Sequence, residues 1–337
     1  MGLTTQESGQ FPTEAPTPMR WPTASETLDK KSLNTSIEPR SLAPGDEESD
    51  FVGEVGRQRV LRSGCPHCRA KDVRPWGKSG GLPRYRCKAC CKTFSALTGT
   101  PLARLHHKDR WPDHARSLIE GETLAQVAER CQIDASTAYR WRRRFLAAVN
   151  SKEPKLSGIV EVDVTLFPES LKGRKRGLPR PARKRGSKAN VDRALTEHTP
   201  VIVAHDRRGA MFDAVLSSLD VATLGEALRD LIPPSADLCC DGGKEIIAYA
   251  KAANLKVHVP LAHTKRMPDE PQFHIENVRA YQTRLKEWMR RFHGVSTENL
   301  SLYLRWFRTL ETASGYKSPA ELIATVAGLN PEEDKAQ

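Results

Sequence analysis

Apolar positions along the chain change their period several times, and each change marks an element or a boundary. Residues 1–56 are rich in Pro, Ser, Thr and Glu and sustain no apolar period, which predicts a disordered acidic tail. A helical period sets in near Lys108. Leu124, Val127, Ala128 and Cys131 share one face, residues 132–135 make a tight turn, and Ser136 is placed to cap a second helix over 137–145. That second helix should bury Ala138, Trp141 and Phe145, giving a helix-turn-helix over 105–150. Residues 159–167 then alternate with period two: Val160, Val162, Val164 and Leu166 on one face, Glu161, Asp163 and Thr165 on the other. Two further strands follow at 201–204 and 210–215, then a helix at 224–231 and a buried strand running into Asp241-Gly242-Gly243. A helix at 246–253 and a strand at 255–259 come next. Last comes a long helix with Ile275, Val278, Leu285, Met289 and Phe292 inward, and Glu276, Arg279, Thr283, Lys286 and Arg290 outward.

This order predicts an α/β core over 156–325 of ribonuclease-H-like class: three strands, a strand ending in Asp, and a late acidic helix. Cleaving a phosphodiester with two divalent ions needs carboxylates that orient the metals, one ion activating water or a 3′-hydroxyl and the other holding the leaving oxygen. Hard ions such as Mg²⁺ or Mn²⁺ take oxygen ligands from few carboxylates, with water and phosphate completing the shell. An Asp within one strand, an Asp at the end of its neighbour and an acid on a flanking helix converge on such a pair. Asp163 and Asp241 are the first two. Each has a plainer reading, a wet strand face for Asp163 and a turn former before Gly-Gly for Asp241. Glu161 shares the Asp163 face, about 7 Å along the strand, and is better suited to supporting the site than to binding an ion.

Upstream, Cys65-Pro66-His67-Cys68 and Cys87-Lys88-Ala89-Cys90 form two C-x-x-C knuckles. Residues 84–87 read as a strand entering the second knuckle and residues 92–94 as the strand leaving it. Four thiolates so spaced reach one tetrahedral zinc ion, which predicts a zinc ribbon over 57–100. The closed shell makes that metal structural, and Cys91 stands beside it.

At 337 residues the chain has room for about two or three domains. A mean hydropathy of −0.55, the lack of any run near the roughly 18 apolar residues of a membrane span and the lack of a secretory pattern predict a cytoplasmic protein without a membrane partner. Net charge changes the picture more. Residues 1–56 hold ten acids and four bases, a net of −6, which leaves +18 on the remainder of a chain whose total is +12. A field of that size points to a polyanion partner, most economically nucleic acid, and the helix-turn-helix favours double-stranded DNA. On the second helix of the helix-turn-helix, Arg140, Arg142, Arg143 and Arg144 are placed to meet phosphates and guanine edges. Residues 172–188 hold nine Lys or Arg and no acid, interleaved with Gly and Pro. Within a basic insertion at 168–195, Arg183, Lys184 and Arg185 are placed to track a phosphate backbone, or simply to lie solvated.

Taken in order, these motifs resemble bacterial insertion-sequence transposases of the DDE type, in the ISXO2-like group that carries a zinc ribbon ahead of the core. The resemblance runs from about Gly64 to Gly328. Beyond the cysteines it rests on Val160-Glu161-Val162-Asp163, Glu169-Ser170-Leu171-Lys172-Gly173, Arg183-Lys184-Arg185-Gly186, Asp241-Gly242, His274-Ile275-Glu276-Asn277-Val278, Arg284-Leu285-Lys286, Phe292-His293-Gly294-Val295 and Tyr303-Leu304-Arg305-Trp306. It implies binding of terminal inverted repeats, metal-dependent strand cleavage, strand transfer by the freed 3′-hydroxyl, and a dimer or larger assembly holding two ends. It also implies that Lys286 meets terminal phosphates and that a third catalytic residue, Glu or Asn in the family, lies seven residues before it. That position is Arg279, which cannot bind a cation. Either Glu276, one turn earlier, has taken the role, or the chain is a catalytically inactive DNA-binding protein or repressor.

Overall fold

The structure, a computed structural model, describes residues 46–149, 153–174, 176–177, 198–260, 272–312, 315–316 and 318–329. Residues 1–45 of the predicted tail and the insertion residues Arg183, Lys184 and Arg185 lie outside the described residues.

Helix α1 (Asp46–Ser63) corrects the tail boundary, because residues 46–56 are helical rather than disordered. Val52 and Val55 are buried with Leu97 and Leu102, while Val60 packs among Cys65, Cys87 and Phe94. Gly56 lets the helix approach closely, since a Cβ there would stand 2.6 Å from that of Ala96. Two buried valines are too sparse to register as an apolar period in the sequence. Next, β1 (Val73–Ser79), β2 (Leu82–Cys87) and β3 (Thr93–Ser95) form an antiparallel sheet in the order β1-β2-β3. The hairpin joining β1 to β2 turns at Gly80 (φ 55°) and Gly81 (φ 78°), a conformation that glycine adopts at little cost.

Helices α2 (Trp111–Ile119), α3 (Leu124–Arg130) and α4 (Ala135–Ala148) follow. Thr123 and Gln126 close a capping box on α3. The N-cap of α4 is Asp134, whose carboxylate accepts from the Ser136 backbone N–H at 2.8 Å; Ser136 itself already lies in the first turn.

Five strands make the central sheet: β4 (Ile159–Pro168), β5 (His198–Asp206), β6 (Met211–Val215), β7 (Asp237–Cys240) and β8 (Lys256–His258), ordered β6-β5-β4-β7-β8. The first three strands pair antiparallel and β7 and β8 add parallel beside β4. Helices α5 (Val221–Leu228), α6 (Lys244–Ala252), α7 (Glu276–Arg290), α8 (Thr297–Glu311) and α9 (Pro319–Val326) complete the described elements. Val160, Val162, Ile202, Leu238 and Cys240 pack against Leu224, Leu228, Ile246 and Tyr249 of α5 and α6. On the opposite face, Val201, Val203 and Phe167 share a core with Val278, Tyr281 and Leu285 of α7. The acid-bearing face of β4 is therefore covered, with Glu161 at 0% and Thr165 at 3% exposure. Leu166 departs from its alternating series and is exposed, because β7 accompanies β4 only as far as Val162.

The core on the α7 side continues into the helix-turn-helix. Trp111, Trp141 and Phe145 belong to the same buried cluster as Tyr303, Trp306 and Phe307 of α8 and Leu322 and Ile323 of α9. A buried triad adds a polar tie: Asp213 of β6 accepts from the Arg308 guanidinium at 2.8 Å and from the Tyr281 hydroxyl.

Candidate active site and nucleic-acid interface

Helix α7 lies along β4, and two acids of the strand mark the contact. Glu161 sits at the start of the helix, where its carboxylate accepts from the Val278 backbone N–H at 3.0 Å and the Asn277 amide at 2.8 Å. Arg207 pairs with it, and His274 approaches to 3.4 Å. A carboxylate suits the free N–H groups and positive dipole end of a helix, so Glu161 anchors α7. Two residues further on, Asp163 accepts from the Gln282 amide at 3.2 Å and from the Val164 backbone N–H at 2.8 Å.

Asp241 reaches the same spot from β7. Cys240 is paired with Val162, so the next residue comes level with Asp163 on the adjacent strand. There its carboxylate is held by the Gly243 backbone N–H at 3.0 Å, in a turn through Gly242 at φ 92°. Asp163 feels this neighbour. Burial, and then the negative charge of Asp241, raise its carboxyl above the ordinary value, while the Val164 N–H, Gln282 and the Arg279 charge oppose them. Two acids and one arginine thus share a field at the C-terminal edge of the sheet, where hard cations are readily held.

The third predicted acid does not join them. Among the described residues, the one group of three or more His, Cys, Asp or Glu whose ligand atoms lie within 4.8 Å of one another is the cysteine cluster. Gln282 faces Asp163, and Arg279 and Lys286 lie about one turn to either side of it. Glu276 is the first residue of α7, exposed and about 60° around the helix from Arg279.

In the cysteine cluster, the sulfurs of Cys65 and Cys90 stand 3.7 Å apart and those of Cys68 and Cys87 3.5 Å apart. Tetrahedral zinc with bonds of about 2.3 Å requires sulfurs about 3.8 Å apart, so these four residues fit that ion. Backbone N–H groups of His67 and Cys90 point at the Cys65 and Cys87 sulfurs, a support that favours thiolates.

The arginines of α4 divide. Arg140 and Arg143 are exposed, the latter with its guanidinium 5.9 Å from the Tyr139 ring centre. Arg144, also exposed, donates to the carbonyls of Pro101 and Ala103. Arg142 is a correction: at 1% exposure it cannot touch DNA. It donates to the Glu122 carbonyl at 2.6 Å and the Tyr303 hydroxyl at 3.4 Å, and lies 5.0 Å from the Trp306 ring centre. The sequence carried a signal for this, since 138, 141, 142, 145 and 146 follow the i, i+3, i+4, i+7, i+8 stripe of a buried face. Gln282, Asn277 and Arg207 had no comparable signal, because their roles depend on strand and helix lying together.

Comparison with known families decides what this arrangement belongs to. Residues 155–308 match the ISXO2-like transposase domain and residues 115–149 match a homeodomain-like domain. The chain carries an insertion-sequence transposase domain. A relative from Halobacterium salinarum, described as an uncharacterized protein in transposable element ISH50, is 28% identical over 250 residues, covering 72% of this chain and 83% of that one. Among solved structures, a chain of the simian T-cell lymphotropic virus intasome in complex with PP2A regulatory subunit B56 gamma is 10% identical with a TM-score of 0.26. That match covers 57% of this chain and 66% of that one. A pre-cleavage Mos1 transpososome gives 14% identity and a TM-score of 0.21, over 58% of this chain and 74% of that one. Superpositions this loose add nothing to the topology described above. Within the transposase domain fall Asp163, Asp241, Glu276, Arg279, Gln282 and Lys286; the homeodomain-like match spans α3 and α4 with their arginines. Among the described residues no helix is long and apolar enough to cross a membrane.

Proposed function

We propose that this transposase binds the terminal inverted repeats of an insertion sequence and catalyses metal-dependent strand cleavage followed by strand transfer. The observation that carries the reading is the meeting of Asp163 and Asp241 on neighbouring strands of a sheet ordered β6-β5-β4-β7-β8, the topology of a ribonuclease-H-like core. Asp163 and Asp241 would hold magnesium or manganese, and Glu276 on the first turn of α7 would serve as the third acid, although its carboxylate is not gathered with theirs in this structure. When bound, such ions activate water or a 3′-hydroxyl and stabilise the leaving oxygen. Gln282 fixes the orientation of Asp163, Glu161 fixes the start of α7, and Lys286 meets the phosphates beside the scissile bond. Arg140, Arg143 and Arg144 of α4 grip the duplex, the zinc ribbon over 57–100 holds the DNA of the element's end, and Arg183, Lys184 and Arg185 run along the backbone. Two copies or more hold two ends. The protein works where its DNA is, in the cytoplasm.

A non-enzymatic reading is favoured by one observation: the positive charge of Arg279 acts on Asp163, from a position where the family carries a Glu or Asn. Labelled duplex carrying the terminal repeat, incubated with Mg²⁺ or Mn²⁺, separates the two. Wild type should nick it, and Asp163→Asn and Asp241→Asn should not. Wild type that binds the end yet nicks no better than Asp163→Asn would establish the repressor reading. Glu276→Gln should abolish nicking while Arg279→Ala should not; the reverse would remove Glu276 from the site.

A further inference from the structure

The outer face of the three-stranded sheet has no role in holding zinc. Val73, Tyr85, Cys87 and Phe94 turn inward to the cysteine cluster. The alternate positions turn outward: Arg74 and Trp76 on β1, Arg84 and Arg86 on β2 and Thr93 on β3. None of the three strands contains Asp or Glu. Arg74 and Arg86 are direct cross-strand partners, a like-charge pairing that costs stability. Their guanidinium groups stand 5.1 and 5.0 Å from the centre of the Trp76 ring. Trp76 is 43% exposed, whereas Trp111, Trp141, Trp288 and Trp306 are at most 4% exposed. An indole left in water between two paired cations is poor design for stability and good design for a polyanion with flat rings.

We propose that this face binds an unpaired DNA strand, with one base stacked on Trp76 and its flanking phosphates on Arg74 and Arg86. Charge complementarity selects a nucleic acid, and the exposed indole selects an unpaired stretch. In a duplex each base face is already covered by its neighbour, and prying a step open costs a few kcal/mol. A single strand offers its faces freely, and stacking plus phosphate contacts is how such strands are held without sequence preference. The guanidinium that leaves the indole when a base arrives becomes free for a phosphate. The idea deepens the proposed function by naming what the ribbon grips, yet it needs neither cleavage nor the carboxylates.

The test uses full-length protein with Trp21→Phe, so that Trp76 is the exposed tryptophan that reports. Titration with a short fluorescein-labelled oligothymidylate is followed by label anisotropy and tryptophan emission. Emission should be quenched in step with binding. Trp76→Ala should bind about tenfold more weakly and Trp76→Phe should recover part of the loss. Arg74→Ala and Arg86→Ala should each lower the slope of log affinity against log salt by about 0.7. Zinc content confirms that each variant is folded. Binding without quenching, no binding, equal affinity for Trp76→Ala, or equal quenching by a blunt duplex would each overturn the proposal, leaving the nicking assay to judge the transposase reading alone.

Discussion

Replacing His114 with Phe should change how the protein's stability depends on pH. His114 is fully buried in the helix-turn-helix, edge-on to Trp141 at 5.4 Å and Phe145 at 4.9 Å, and neither ring nitrogen has a hydrogen-bond partner. Burial, reinforced by the Arg142 charge, pulls its pKa down from 6.5 to about 3. The unfolded chain therefore takes a proton near pH 6.5 that the folded chain refuses until about pH 3. Stability from this group is complete above about pH 6.5 and falls by about 1.4 kcal/mol per unit as pH drops towards 3. At about pH 5 the loss is about 2 kcal/mol, a large share of the 5–15 kcal/mol that typically holds a domain. His114→Phe keeps a ring of similar size and cannot titrate. Urea unfolding of both proteins, followed by tryptophan fluorescence at about pH 7.5 and about pH 5, isolates the effect because other groups cancel in the difference. Wild type should lose about 2 kcal/mol relative to the variant on acidification. A wild-type-minus-variant difference that stays constant over this window refutes the reasoning.

Three further outcomes follow from geometry already described. Purified protein should carry about one zinc per chain by atomic emission, and Cys87→Ser should lose it and open the ribbon to protease; a metal-free wild type would contradict the zinc assignment. Glu161→Gln weakens the anchor of α7 and leaves Arg207 without its carboxylate, so thermal unfolding should show a loss of about 2–3 kcal/mol, discounted for the partial exposure of Arg207. Gly56→Ala should destabilise by about 1–3 kcal/mol, because the new methyl meets Ala96 at 2.6 Å; the gain of up to about 1 kcal/mol usual for Gly→Ala in an exposed helix would show that α1 does not pack there.

Period and spacing made much of this molecule legible. The alternation at 159–167 locates the central strand, and the sheet register brings Asp241 level with Asp163 of that strand. The cysteine knuckles named four sulfurs that meet. What escaped depended on tertiary contacts. Residues 46–56 sustain no apolar period, yet Val52 and Val55 suffice once Leu97 and Leu102 are there to receive them. Arg142 looked like its arginine neighbours because composition says surface, whereas its place on the helical stripe says core. Gln282 could not be found, since an amide on a helix acquires a role only when an acid on another element faces it. The placement of Glu276 came from counting along a helix, and counting fixes neither where that helix begins nor how it is rotated against the sheet.

Arg142 has a consequence beyond its own burial. It ties α4 to Tyr303 and Trp306 of α8 and to the Glu122 carbonyl in the turn between α2 and α3, and α8 shares a buried core with α7, the helix that lies along Asp163. On the proposed function, the protein then acts as a caliper: the number of base pairs from the recognised sequence to the cut phosphate is set by this shared packing. Loosening it with Arg142→Ala should blur the position of the nick on the DNA even where binding survives.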